Sequence, residues 1–189
     1  MPASRSRIVS RGATALAVTL LASLFLAACG KKEKPAPKAD TALFRRIAVA
    51  QGMADVIFAT RDTMRSVRGK WTEPGSSSQF EARRSGGVVR YLEEAEDRGE
   101  FGASDNRYYF DETGTFFFYE DRGEEREPRG SLPPMSRLVQ RSALYDSTGA
   151  LVWGRRLVDG VASMLPDSQG TAIRVRASTL LARAAEMNP

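Results

Sequence analysis

Apolar residues follow four patterns along the chain, and each pattern predicts an element. From Thr41 to about Arg65, Leu43, Ile47, Ala50, Ala54, Ile57 and Met64 recur at spacings of three, four or seven. That spacing lines one face of a helix, with Thr41 available as its N-cap. Gly52 sits inside this run and costs about 1 kcal/mol relative to Ala, which weakens the expectation for the second half. Near the C-terminus, Ile173, Ala177, Leu180, Leu181, Ala184 and Met187 mark one face of a second helix from about Thr171 to Glu186, with Arg174, Arg176 and Arg183 elsewhere on it.

The middle of the chain reads as strand. Tyr108-Tyr109-Phe110-Asp111-Glu112-Thr113-Gly114-Thr115-Phe116-Phe117-Phe118 aligns with Ala143-Leu144-Tyr145-Asp146-Ser147-Thr148-Gly149-Ala150-Leu151-Val152-Trp153 at an offset of 35. Two hairpins are predicted, each with an Asp that can bond its own backbone and a Gly free to adopt positive φ. A third turns at Gly86-Gly87, between Phe80-Glu81-Ala82 and Val88-Val89-Arg90-Tyr91-Leu92. Trp71 and the run Glu73 to Ser78, with Pro74-Gly75 inside it, mark a loop. The fold class expected is α+β: an antiparallel β meander of five to seven strands with an N-terminal and a C-terminal amphipathic helix.

Seven aromatics lie between Tyr108 and Tyr119. Strand side chains alternate between faces, which sets Tyr108 and Phe110 against Tyr109, and Phe116 and Phe118 against Phe117 and Tyr119. Both faces of this hairpin are therefore apolar. Either the terminal helices and loops cover both, or one stays open, making Tyr108, Phe110, Phe116 and Phe118 a candidate binding surface.

The fourth pattern is a continuous one at the start. Arg5, Arg7 and Arg11, with no acidic residue, precede Ala13 to Ala28, where only Thr14, Thr19 and Ser23 are polar. A helix over such a run spans roughly 24 Å, short of the roughly 30 Å hydrocarbon core, so a cleaved signal is favoured over a spanning helix. The run ends in Leu26-Ala27-Ala28-Cys29, and Cys29 is the only cysteine of the chain. This segment resembles the lipobox of bacterial lipoproteins. The resemblance implies cleavage after Ala28, a diacylglyceryl group on the Cys29 thiol, and acylation, for example with palmitate, of the new amino group. Gly30 in place of Asp after the cysteine resembles the enteric sorting signal for the outer membrane, facing the periplasm. One acyl chain anchors marginally at about 0.8 kcal/mol per buried methylene, whereas two or three together hold firmly.

Charge must be counted again without the signal. The whole chain carries +5 and a pI near 9.6, yet residues 41 to 189 hold 21 basic and 21 acidic residues. Of the excess, three arginines lie in the signal and a net charge of +2 in residues 29–40. Lys31, Lys32, Lys34 and Lys38 belong to a tether stiffened by Pro35 and Pro37, with no apolar residue large enough to bury. Each lysine adds about 1 kcal/mol of attraction to an anionic leaflet if it lies close enough, although a solvated spacer needs no such role. The division expected is signal 1–28, lipidated cysteine and tether 29–40, and one domain 41–189. Nothing here tracks phosphate, and no nucleic acid partner is expected.

Candidate chemistry is sparse. The chain has no histidine, which removes the usual base of nucleophilic triads and the commonest transition-metal ligand. No phosphate loop, zinc spacing or calcium loop is present, so no cofactor and no metal are expected; Asp111 to Gly114 lacks the alternating acids of an EF-hand. Acids cluster at Glu93, Glu94, Glu96 and Asp97, and at Glu120, Asp121, Glu124, Glu125 and Glu127. Their polar surroundings read as solvated strand ends and loops. The function expected is a lipid-anchored, non-enzymatic binding or accessory protein of the envelope, with another envelope protein or wall polymer as partner. An inhibitor or immunity-type module using loops such as Glu120 to Pro134, and a carboxylate-dependent hydrolase, are the alternatives.

Cys29→Ala is expected to abolish incorporation of labelled fatty acid in the native host and leave unprocessed or released protein; equal labelling of the mutant would end the lipid-anchor reading.

Overall fold

The computed structural model describes residues 40–187. The signal, Cys29 and the tether up to residue 39 lie outside them. Helix α1 (Thr41–Thr60) leads through a short 3-10 turn (Arg61–Thr63) into eight strands. These are β1 (Arg65–Glu73), β2 (Ser76–Ser85), β3 (Val88–Asp97), β4 (Gly102–Phe110), β5 (Phe116–Arg129), β6 (Leu132–Tyr145), β7 (Leu151–Val158) and β8 (Val161–Met164), followed by helix α2 (Asp167–Glu186). All eight form one antiparallel meander in sequence order.

The class and the two helices are those expected, and the strand count is eight rather than five to seven. The difference comes from polar strands. The segment read as a loop around Trp71 is instead a hairpin in which Trp71 pairs with Ser78 and only Pro74-Gly75 turn. At the N-terminus of α1, Asp40 rather than Thr41 is the cap, its Oδ1 accepting from the N–H of Ala42 at 3.1 Å and of Leu43 at 3.2 Å. Helix α1 ends at Thr60, short of Arg65.

The offset of 35 holds atom by atom at the turns. Asp111 Oδ1 accepts from the Thr113 hydroxyl at 2.6 Å and from the N–H groups of Thr113 and Thr115, both at 2.9 Å. Asp146 Oδ1 repeats this with the Thr148 hydroxyl at 2.6 Å and the N–H groups of Thr148 and Ala150 at 2.9 and 3.1 Å. These donors hold the Asp146 carboxyl below the usual carboxylate range; at Asp111 they do so against a partial loss of hydration. Gly114 and Gly149 have φ of +85° and +79°, the left-handed region that a Cβ disfavours.

Each hairpin at this end of the sheet also carries one extra residue in its outgoing strand. Register shifts place Arg90, Phe117 and Val152 unpaired, between Val89 and Tyr91, Phe116 and Phe118, and Leu151 and Trp153. A bulge of this kind breaks the strict alternation of faces. The result is a threefold pattern in which Val89, Phe116 and Leu151 turn to one face while Tyr91, Phe118 and Trp153 turn to the other.

Both faces are then covered. On one, Ile47, Ala50, Ala54 and Ile57 of α1 pack on Tyr91, Tyr109, Phe118 and Leu144. On the other, Ile173, Ala177, Leu180 and Ala184 of α2 pack on Leu92, Tyr108, Phe110, Tyr119 and Tyr145. Gly170 lets α2 come close to β7, since a Cβ there would stand 2.7 Å from a Leu151 methyl, and its carbonyl accepts from the Tyr145 hydroxyl at 2.8 Å.

Gly114→Val is expected to cost about 1–3 kcal/mol through strain at positive φ, with the new side chain also crowding Val88, whose Cγ1 lies 3.2 Å from a Cβ built at Gly114; chemical unfolding that matched the parent protein would refute the turn geometry.

Candidate functional site

Helix α1 packs on the sheet near the end where the three glycine turns lie, whereas α2 runs from there across to β1, where Arg176 and Arg183 lie over the Trp71 ring. Away from that end, two features stand out: a set of ionised groups on the α2 face, and a ribbon that outruns its neighbours.

Glu94 and Asp121 depart from the expectation that the acidic clusters are solvated, whereas Glu93, Asp97 and Glu127 are exposed. Glu94 is 2% exposed and Asp121 7%, because strand alternation carries Leu92 and Glu94, or Tyr119 and Asp121, to the same inner face. Each acid is held by an arginine. Arg176 of α2 reaches Glu94 from Nε at 3.1 Å and Nη2 at 2.6 Å, Glu73 from Nη1 at 3.1 Å and Ser78 from Nη2 at 2.8 Å. Its guanidinium stacks on the Trp71 ring at 3.9 Å, and Tyr108 donates its hydroxyl to the same Glu94 at 3.0 Å. Burial, then the neighbouring Tyr119 and Glu94, raise the Tyr108 pKa, so the phenol keeps its proton and donates it to Glu94.

Asp121 accepts from the backbone N–H of Arg141 at 2.6 Å and from its Nε at 2.8 Å. Beside it, the Tyr119 hydroxyl donates to Asn106 at 2.8 Å. Arg141 also lies 3.6 Å from Glu125, which pairs with Arg156 at 2.7 Å. Chemically this is a clamp. Both buried carboxylates are occupied by fixed guanidinium donors, as groups that hold a helix and neighbouring strands in register are. Burial raises the Asp121 carboxyl above the usual carboxylate range against the opposing charge and hydrogen bonds of Arg141.

The ribbon is the far part of β5 and β6. Flanking strands end where Gly102 pairs with Glu125 and Val158 with Val139, while β5 and β6 go on pairing through Arg126 with Ser136, Glu127 with Met135 and Arg129 with Leu132. The segment expected to be a loop, Glu120 to Pro134, is therefore one strand, a turn at Gly130 and the start of the next. Its stem is charged, with Arg126 on Glu124 at 3.0 Å and Arg137 on Glu127 at 3.5 Å. Leu132-Pro133-Pro134, on the β6 side of its tip, is apolar, with Leu132 64% exposed and paired with Arg129 across the Gly130-Ser131 turn. A free ribbon offers two unpaired edges; Pro128, Pro133 and Pro134 have no N–H to offer there, which blunts indiscriminate strand pairing.

The candidate aromatic surface is closed. Tyr108, Phe110 and Phe118 are 2, 1 and 2% exposed and Phe116 is half-buried. Nor do the four share a face: Tyr108, Phe110 and Phe116 join the core under α2, while Phe118 joins the core under α1. The bulge at Phe117 reversed the expected sides of Phe118 and Tyr119. Ring centroids of Tyr91–Tyr109 and Tyr109–Phe118 lie 5.4 and 5.9 Å apart, a packing worth about 0.5–1.5 kcal/mol per pair beyond burial. Among the described residues no group of three or more His, Cys, Asp or Glu side chains is placed to hold a metal ion, and no helix is long and apolar enough to cross a membrane. Cys29 lies outside the described residues.

Compared with known proteins, the chain matches no family model, no curated protein and no solved structure.

Sequence reasoning missed the clamp and the ribbon. The signal for the clamp was present, since Leu92-x-Glu94-x-Glu96 puts acids in phase with a core leucine; an arginine on the partly buried side of α2 completes it.

Arg176→Met is expected to lower stability by about 3–5 kcal/mol, the cost of leaving a buried carboxylate unpaired. Arg176→Met with Glu94→Met, which leaves no charge there, should lie closer to the parent. Denaturant unfolding of the two variants checks this, and equal losses would refute the clamp.

Proposed function

We propose that the mature chain is a lipid-anchored protein of the cell envelope, held in the outer membrane through Cys29 and facing the periplasm, that acts by binding another envelope protein or wall polymer. The observation that carries the binding part is the β5–β6 ribbon, a paired and proline-blunted arm with an exposed apolar tip at Leu132. An apolar tip on a charged stem has the anatomy of an interface anchor, a small buried centre with a polar rim. The anchoring part rests on the order of charged start, apolar run, small pair and cysteine in residues 1–29.

The inhibitor reading differs in what the arm enters. A two-stranded ribbon is narrow enough to fill the cleft of an enzyme, and Glu120 to Pro134 supplies one of its strands, the turn and the start of the other. The hydrolase reading has less support, because Arg176 and Arg141 occupy the two most buried carboxylates.

The test is a photo-activated cross-linking residue at position 132 in the full-length protein in its native host, with a second at Glu186 on α2 as control. Light-dependent adducts of defined mass are expected from position 132 and not from position 186. Absence of adducts at position 132, in protein that fractionates with membranes, would remove the ribbon as the binding element.

A further inference from the structure

Helix α1 is apolar on both sides. Its inner residues pack on the sheet, yet Phe44, Val49, Met53 and Val56 on its outer side and flanks are 62, 58, 41 and 63% exposed. Gly52 lies on the same outer side, where a Cβ would meet nothing within 4 Å, so packing within the domain does not account for its cost. Within Thr41–Thr60 the charged residues are Arg45, Arg46 and Asp55. A helix apolar all round normally has something on every side.

Three facts on the chain itself select what lies on the outer side. The helix starts directly after the tether, its cap being Asp40. Eleven residue steps from Cys29 reach at most about 36–40 Å when fully extended, and a relaxed chain spans about half of that. Residues 30–46 hold six basic side chains, Lys31, Lys32, Lys34, Lys38, Arg45 and Arg46, against Glu33 and Asp40. We infer that the outer side of α1 rests on the bilayer surface, with Val49 and Val56 at the boundary of headgroups and acyl chains, Phe44 and Met53 on its two flanks, and the basic residues on anionic headgroups.

This inference rests on the lipid anchor proposed above and adds an orientation to it. Interfacial helices lie in the membrane plane with the apolar side about 5–10 Å into the boundary region and with basic residues on anionic lipid. A lipid at Cys29 supplies the second attachment that a weak interfacial helix needs, by raising its effective concentration at the surface. The sheet stands behind α1, and α2 covers the opposite face of that sheet, which turns α2 away from the lipid.

The test uses mature protein purified from its host and reconstituted into vesicles of phosphatidylethanolamine and phosphatidylglycerol. Val49→Cys, Val56→Cys and, as control, Met164→Cys on β8, which is 84% exposed, each carry an environment-sensitive fluorophore; lipidation blocks Cys29. Nitroxide-bearing lipid is expected to quench the labels at 49 and 56 about twofold or more, as for a helix at the boundary region, and to leave the label at 164 unchanged. Labels at 49 and 56 as unquenched as that at 164, in protein whose mass shows the diacylglyceryl group, would overturn the orientation and leave the anchor standing. Protein without that mass, and not floating with vesicles, would overturn both. Shielding at 56 that is indifferent to nitroxide lipid and accompanied by a cross-link between two copies at that position would assign the face to a dimer and also overturn the inference.

Discussion

A strand whose successive residues are all apolar has no face to offer water, and that constraint organises this molecule. Tyr108, Tyr109 and Phe110 point alternately to opposite sides of the sheet, and all three are buried. One helix cannot cover both sides. The chain places α1 on one and α2 on the other, and both meet the sheet where the apolar stretches of β3, β4, β5 and β6 lie side by side. The bulges at Arg90, Phe117 and Val152 belong to the same solution. Each sends one residue to α2 and the next paired one to α1, so that every hairpin at this end feeds both cores.

Toward the far end of the strands the rule reverses. Strands continue with polar and charged residues, and the inward ones are neutralised by arginine rather than left to water. Arg176 ties α2 to β1, β2 and β3 through Glu73, Ser78 and Glu94, and Arg141 ties β6 to β5 through Asp121. Buried ion pairs add little net stability over apolar packing, yet lose much when one partner goes. They suit the margin of a core that gives way to a presented surface. The β5–β6 ribbon grows from that margin, at the end of the sheet away from the glycine turns.

The helices and the glycine-turn hairpins were legible in the sequence because their signals are local. Spacings of three and four, and Asp-x-Thr-Gly repeated at an offset of 35, need no knowledge of partners. The polar strands were not legible, since Arg65 to Ser78 and Glu120 to Pro134 carry little apolar alternation and owe their conformation to the strands beside them. The side taken by Phe118 was misread for a related reason: a bulge is set by pairing across the sheet. The buried state of Glu94 was readable only in part, as its phase with Leu92 is local, whereas Arg176 lies 82 residues away. Of the candidate site, the aromatics were found and assigned to surface or core without a decision, and the ribbon was taken for a loop.

The central claim is that helix cover at one end holds the fold while the far end of the same strands is free to be presented. Native-state hydrogen exchange along β5 tests it within a single strand. The amides of Phe118 and Tyr119, between the two helices, should exchange only through global unfolding, whereas those of Arg126, Glu127 and Arg129 should exchange orders of magnitude faster through local opening. Equal protection along the whole of β5, or slower exchange in the ribbon than at Phe118, would contradict the account.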